Sequence, residues 1–268
     1  MDKYSKVTFH NGHQMPVIGL GTWQLSPNTA ATVENALDIG YRLIDTSSDY
    51  GSQPGIGEAL TKTSVPREEI FLETKVEEDD DAYQAVQDYL AEMDQDYADL
   101  IVIHRPPPSG AGVELWEGLI KAKQAGLTID IGVSNYSAVL IDELIKATGE
   151  VPVLNQIEWS PFGHSMEHFN YCQEHGIFIQ AYSPLTRAKR LDDETLHELA
   201  DQHQKSPAQI LLRWNLQLGT VPIPRANQKD HQAENLDIFD FKLSADEMKT
   251  LHELNEHYSS LGSLQYLA

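Results

Sequence analysis

Leu100-Ile101-Val102-Ile103-His104 sets four consecutive apolar residues in front of a histidine. A short unbroken apolar run of this kind reads as a strand covered on both faces, the habit of a parallel sheet flanked by helices. The form recurs on either side. Toward the N-terminus lie Val17-Ile18-Gly19-Leu20, Arg42-Leu43-Ile44-Asp45 and Ile70-Phe71-Leu72-Glu73-Thr74-Lys75. Toward the C-terminus lie Ile129-Asp130-Ile131-Gly132-Val133, Val153-Leu154-Asn155-Gln156, Ile177-Phe178-Ile179-Gln180-Ala181-Tyr182 and Thr220-Val221-Pro222-Ile223. Each is followed by a helical stretch. Eight such units predict an α/β fold, a (β/α)8 TIM barrel. An open, doubly wound sheet is the alternative.

Local signals agree. Asn11-Gly12, between Val7-Thr8-Phe9 and Met15-Pro16-Val17, predicts an N-terminal β-hairpin, expected to close the bottom of the barrel. Ser206-Pro207 opens a helix, and Ser244 with Glu247 fits a capping box. With no linker or low-complexity tract, residues 1–268 read as a single domain.

Composition narrows the function classes. Asp plus Glu number 41 against 19 Lys plus Arg, a formal charge of −22. Such a surface repels phosphate backbones and anionic lipid, so neither nucleic acid nor membrane is an expected partner. No apolar run reaches the ~18 residues of a membrane span. The lone Cys172 and the absence of a signal-peptide pattern at the start point to a cytoplasmic location.

In this barrel, functional groups project from the C-terminal ends of the strands. Asp45, Lys75, His104 and Gln156 occupy such ends, and Tyr50 follows Asp45 by five positions. An ammonium beside a tyrosine stabilises its phenolate, a carboxylate orients the ammonium, and a histidine can bond a substrate oxygen. The set suits protonation of a carbonyl oxygen as hydride reaches its carbon. Since no side chain supplies hydride, a nicotinamide cofactor is implied.

The motifs then resemble a known family. Gly19-Leu20-Gly21-Thr22-Trp23, Gly40-Tyr41-Arg42-Leu43-Ile44-Asp45-Thr46 through Tyr50-Gly51, Glu73-Thr74-Lys75-Val76, and Asp99 through His104 are similar to aldo-keto reductase motifs. Ile131-Gly132-Val133-Ser134-Asn135, Asn155-Gln156-Ile157-Glu158, Ala181-Tyr182-Ser183-Pro184-Leu185 and Glu234-Asn235 continue them in order. The short C-terminal tail resembles the compact bacterial members, of the 2,5-diketo-gluconate reductase type. The resemblance implies Tyr50 as proton donor, Lys75 and Asp45 tuning it, and His104 orienting the carbonyl. It implies Ser134, Asn135 and Gln156 on the nicotinamide carboxamide and Tyr182 stacked on the ring. Thr22 and Trp23 would lie near the ribose, Trp23 also lining the substrate pocket. Ser183 and Leu185 would lie along the pyrophosphate, and Glu234 and Asn235 toward the adenosine end. No metal is implied.

Two regions depart from the family pattern. At the adenosine-phosphate end, Pro224 is followed by Arg225 where lysine is usual, then Ala226, and a frequent arginine is replaced by His231. Arginine can still grip a 2′-phosphate, whereas histidine is largely neutral at physiological pH. NADPH is the expected cofactor, with NADH open. At the substrate end, Glu77 and Arg105 stand where tryptophans are common. The pocket is therefore expected to be more polar, with Arg105 meeting a substrate carboxylate or a polyol, or else Arg105 and Glu77 pairing with each other or pointing to solvent. The run Glu77-Glu78-Asp79-Asp80-Asp81 reads as a solvated loop before a helix, not as an ion site. The function expected is reduction of a small carbonyl substrate by a monomer. A cofactor-binding sensor with little turnover is the rival, and a barrel hydrolase fits a Tyr–Lys pair poorly.

Overall fold

The computed structural model describes residues 1–25 and 28–267. Strands β1 (Lys6–Thr8) and β2 (Gln14–Pro16) form the hairpin. Then follow β3 (Leu20–Gly21), α1 (Thr29–Ile39), β4 (Leu43–Asp45), α2 (Gln53–Lys62), β5 (Phe71–Val76), α3 (Ala82–Glu92), β6 (Ala98–Ile103) and α4 (Val113–Gln124). The second half runs β7 (Thr128–Ser134), α5 (Ala138–Thr148), β8 (Leu154–Glu158), α6 (Met166–Glu174), β9 (Phe178–Tyr182), α7 (Glu194–His203), α8 (Pro207–Leu218), β10 (Val221–Pro222), α9 (Lys229–Leu236) and α10 (Ala245–Glu253).

Strands β3 to β10 pair in parallel in sequence order. Backbone bonds from the Gly19 N–H to the Pro222 carbonyl (3.0 Å) and from the Gly21 N–H to the Pro224 carbonyl (3.2 Å) close the first strand region onto the last. The glycines are what allow it: a Cβ on Gly21 would stand 2.7 Å from the Ile223 carbonyl oxygen. The (β/α)8 barrel with its hairpin is thus the fold. The first strand is shorter than the sequence implies, because Val17 donates its N–H to Ser5 beside the hairpin and not to the barrel ladder. The hairpin turn contains Asn11-Gly12, as the sequence indicates. It spans residues 9–12, the Gly12 N–H bonding the Phe9 carbonyl, with Gly12 at φ +90°.

Alternation along each strand sorts the side chains. Ile44, Leu72, Ile101, Ile103, Ile131, Val133 and Ile179 face the helices. Leu43, Phe71, Leu100, Val102, Leu154 and Val221 face inward, forming an apolar lower layer plugged by Phe9 and Met15 of the hairpin. The Phe9 ring meets Phe71 and Phe178 edge-on at centroid distances of 6.5 and 5.8 Å. Two residues further along the inward faces, polarity takes over with Asp45, Glu73, Gln156 and Gln180, and Lys75 lies two residues beyond Glu73; all five are buried.

Behind the barrel, His164 is enclosed by Trp159, Trp214 and His252. Its Nδ1–H donates to the Ser160 carbonyl at 3.1 Å, leaving Nε2 to accept from His252 at 3.3 Å. Burial pushes this imidazole down to about 4. The unfolded chain therefore takes up a proton below about pH 6.5 that the fold refuses until about pH 4, and stability is lost as the pH falls through that window. By pH 5 the cost is about 2 kcal/mol. Burial raises Glu73, which gives the opposite slope, so the readout is a comparison. Urea unfolding at pH 7 and pH 5 should show wild type losing about 2 kcal/mol relative to His164→Asn; parallel losses in the two proteins would refute this account.

Candidate active site

The upper mouth of the barrel holds a cleft of about 470 Å³. Its floor is built from the inward strand positions of the polar layer and those just above it. Lys75, on β5 and fully buried, donates to Asp45 Oδ1 of β4 at 2.5 Å and to the Thr46 carbonyl at 2.8 Å. Its ammonium lies 5.0 Å from the centroid of the Tyr50 ring. Burial disfavours the ammonium, yet the charges of Asp45, Tyr50 and Glu73 outweigh that and shift it upward. Tyr50 is the last residue of a 3-10 turn at 48–50 that is capped by Gly51 at φ +65°. The sequence predicts a lowered phenol pKa. The Lys75 charge does pull it down, but burial outweighs that pull and pushes the phenol up to about 12.

Around Asp45 the expected Gln156 is joined by two buried residues that the sequence reading did not single out, Glu73 and Gln180. The Gln156 amide nitrogen lies within bonding distance of Asp45 Oδ1 (2.8 Å), Glu73 Oε1 (2.9 Å) and Gln180 Oε1 (2.6 Å). Gln180 in turn donates to Glu73 Oε2 at 2.6 Å. Burial and the neighbouring Asp45 charge hold the Glu73 carboxyl well above the usual range. With its nitrogen committed inward, Gln156 keeps its side-chain oxygen Oε1 unbonded among the described residues.

His104 stands at the end of β6, its ring 5.9 Å from that of Tyr50 in an edge-on arrangement. Its Nδ1 lies 2.9 Å from both carboxylate oxygens of Glu77. Ser47 Oγ donates to Glu77 Oε1 at 2.8 Å. Partial burial opposes the Glu77 charge, but the bonds from His104 and Ser47 prevail and lower its carboxyl. Asp49, Glu77 and His104 bring potential ligand atoms within 4.8 Å of one another, and the contact inside the group is this ring-to-carboxylate hydrogen bond. Of the alternatives for Arg105, no ion pair with Glu77 forms among the described residues: the side chain is half-exposed and lies 3.9 Å from Asp49 at the cleft rim. The rest of the acidic run builds its own turn. Asp80 accepts from the Glu77 N–H, and Asp81 caps α3 through the Gln84 N–H.

The opposite wall comes from β7 to β9. Ser134 Oγ donates to the Gln156 backbone carbonyl (2.8 Å), and the Asn135 side chain donates to the His104 backbone carbonyl (3.1 Å). The Tyr182 hydroxyl donates to Asn135 Oδ1 (2.9 Å), holding its ring along the cleft. Asn135 and Ser183 both lie at positive φ, +66° and +48°. Trp23, Leu185 and Arg225 line the outer part, where the Arg187 guanidinium stacks 4.2 Å above the Trp23 ring. Arg187 was missed, although Thr186-Arg187-Ala188-Lys189-Arg190 is a basic run in an acidic chain. Thr22 lies just behind the lining, bonded to Ser52 at 3.1 Å. On α9, His231 is exposed, Glu234 half-buried and Asn235 buried; none of the three lines the cleft.

Comparison with known proteins agrees with this architecture. The model of the aldo/keto reductase family matches residues 17–256. An aldo-keto reductase of Mycolicibacterium vanbaalenii is 43% identical over 256 residues, covering 93% of this chain and 92% of that protein. The methylglyoxal reductase DkgA of Escherichia coli is 38% identical, covering 93% of each. The crystal structure of a Bombyx mori aldo-keto reductase in complex with NADP superposes with a TM-score of 0.89 at 32% identity, covering 96% of this chain and 94% of that one.

Proposed function

This chain belongs to the aldo/keto reductase family, and on that premise we propose that it reduces small aldehydes or ketones to alcohols with Tyr50 as the proton donor. Family membership makes it an oxidoreductase of carbonyl compounds. The observation that carries the finer reading is the buried Asp45–Lys75 pair set against Tyr50 on the cleft floor. As the carbonyl oxygen gains charge, the Tyr50 hydroxyl releases its proton to it, and the adjacent ammonium stabilises the phenolate left behind. Asp45 keeps that ammonium charged and aimed. His104, on the other side of Tyr50, bonds the same oxygen.

The residues present suit a nicotinamide cofactor. The unbonded Gln156 oxygen can accept from a carboxamide N–H, with Ser134 and Asn135 beside it. The Tyr182 ring offers a flat face for stacking. Thr22 and Trp23 would flank the ribose, Ser183 and Leu185 the pyrophosphate, and Arg225, His231, Glu234 and Asn235 the adenosine end. When bound, the cofactor supplies the hydride that no side chain can. NADPH is favoured, because Arg225 offers a cation at the outer end of the cleft and the Bombyx mori relative binds NADP. Ala226 and His231 add little charge there, leaving NADH as a second cofactor.

We read residues 1–268 as one domain acting as a monomer, since the large exposed apolar residues among those described are scattered. No helix among the described residues is long and apolar enough to cross a membrane. The test is the loss of NADPH and then NADH absorbance against aldehydes, keto acids and sugars. Turnover is expected with NADPH preferred, and Arg225→Ala should raise the NADPH KM roughly tenfold and leave that of NADH unchanged. Cofactor binding without turnover of any carbonyl would overturn the reductase reading in favour of the sensor.

A further inference from the structure

A carboxylate has only acceptors, so the Nδ1 that lies 2.9 Å from both Glu77 oxygens must carry a proton. The Glu77 carboxylate is itself fixed, its Oε1 accepting from Ser47 and its backbone N–H held by Asp80. The other ring nitrogen, Nε2, makes no hydrogen bond among the described residues, and His104 lines the cleft. With the proton locked on Nδ1, a neutral ring presents a lone pair at Nε2, which repels a carbonyl oxygen. Only the doubly protonated ring presents an N–H there. We propose that Glu77 sets the protonation of His104, so that this chain reduces carbonyls with an imidazolium as the oxygen-binding donor and turns the neutral ring into an acceptor suited to an alcohol hydroxyl. The proposal rests on the reductase reading and deepens it. Glu77 is in this sense a positioning residue, acting through His104.

The charges around the ring are consistent with this. Glu77 faces it from the loop after β5, and Asp49, from the turn after β4, brings its carboxylate within 4.8 Å of the group. Arg105 follows it in the chain and lies toward Asp49. Tyr50 stands edge-on to it, with the Lys75–Asp45 pair beyond. Two carboxylates thus stand nearest the ring, against one half-exposed guanidinium held by one of them.

Two measurements test the idea separately from the reductase reading. In protein labelled with 15N-histidine, two-bond 1H–15N correlations distinguish the tautomers, and His104→Gln identifies the signal. The neutral ring of wild type should be protonated on Nδ1. In Glu77→Gln, whose amide can donate to Nδ1, the proton should move to Nε2. A wild-type ring protonated on Nε2 overturns the proposal, whether or not any carbonyl is turned over. In the reductase assay, wild-type kcat/KM should fall tenfold per pH unit on the alkaline side, as one required proton is lost. Glu77→Gln, with a neutral Nε2–H donor, should hold its activity to higher pH. Superimposable profiles in wild type and variant would also overturn it. Absence of turnover with a wild-type ring protonated on Nδ1 would instead count against the reductase reading alone.

Discussion

Tyr50→Phe should lower kcat/KM for carbonyl reduction by 10²- to 10⁴-fold, the usual worth of a positioned general acid. The substitution keeps the ring that meets His104 edge-on and removes only the hydroxyl. Cofactor affinity, measured by quenching of protein fluorescence, should stay within about twofold, because uniform binding is untouched while a transition-state interaction is lost. The elevated phenol sharpens the expectation. At about 12 the hydroxyl is fully protonated at neutral pH and releases its proton only when something takes up the charge. Lys75 is the group in contact that can do so. A Tyr50→Phe enzyme retaining more than about a tenth of wild-type kcat/KM would move the donor elsewhere, His104 being the remaining candidate.

The parts of this site that the sequence discloses are those governed by short-range rules. Apolar runs mark the strands, and alternation places Asp45, Lys75 and Gln156 inward at strand ends. What stays hidden depends on which strands face each other across the barrel. Glu73 lies two residues before Lys75 on the same strand face, so it points inward one layer lower. Nothing within its own segment shows that Gln156 and Gln180, from strands over eighty residues away, will meet it there. Glu77 and Arg105 are visible as departures from the family pattern, but which charge each one meets is decided by the loops after β5 and β6. Those loops turn Glu77 toward the imidazole and Arg105 outward to Asp49. The pair of helices α7 and α8 between β9 and β10 is an insertion that strand spacing alone does not divide.

That hidden layer also governs the second large effect, on stability. Asp45→Leu should destabilise the fold by about 3–5 kcal/mol in urea unfolding, the cost of stranding one member of a buried ion pair. Among the described residues, the fully buried Lys75 would keep the Thr46 carbonyl as its one hydrogen-bond acceptor, with the Tyr50 ring 5.0 Å away. Glu73 limits the damage. In wild type the Asp45 charge helps hold its carboxyl protonated. Once Asp45 is gone, that repulsion is gone too, and Glu73 can ionise to become the counter-ion, which places the loss toward the lower end of the range. Adding Glu73→Gln to Asp45→Leu should therefore deepen the loss by about 1–3 kcal/mol, since no charge then remains to compensate the ammonium. Asp45→Leu with Lys75→Met should instead recover most of it, because an apolar pair of similar volume needs no partner. If the double variant Asp45→Leu/Lys75→Met unfolds as easily as Asp45→Leu alone, the loss arises from packing and not from the unpaired ammonium, and the account of Lys75 as a charge held in place by two carboxyl groups fails.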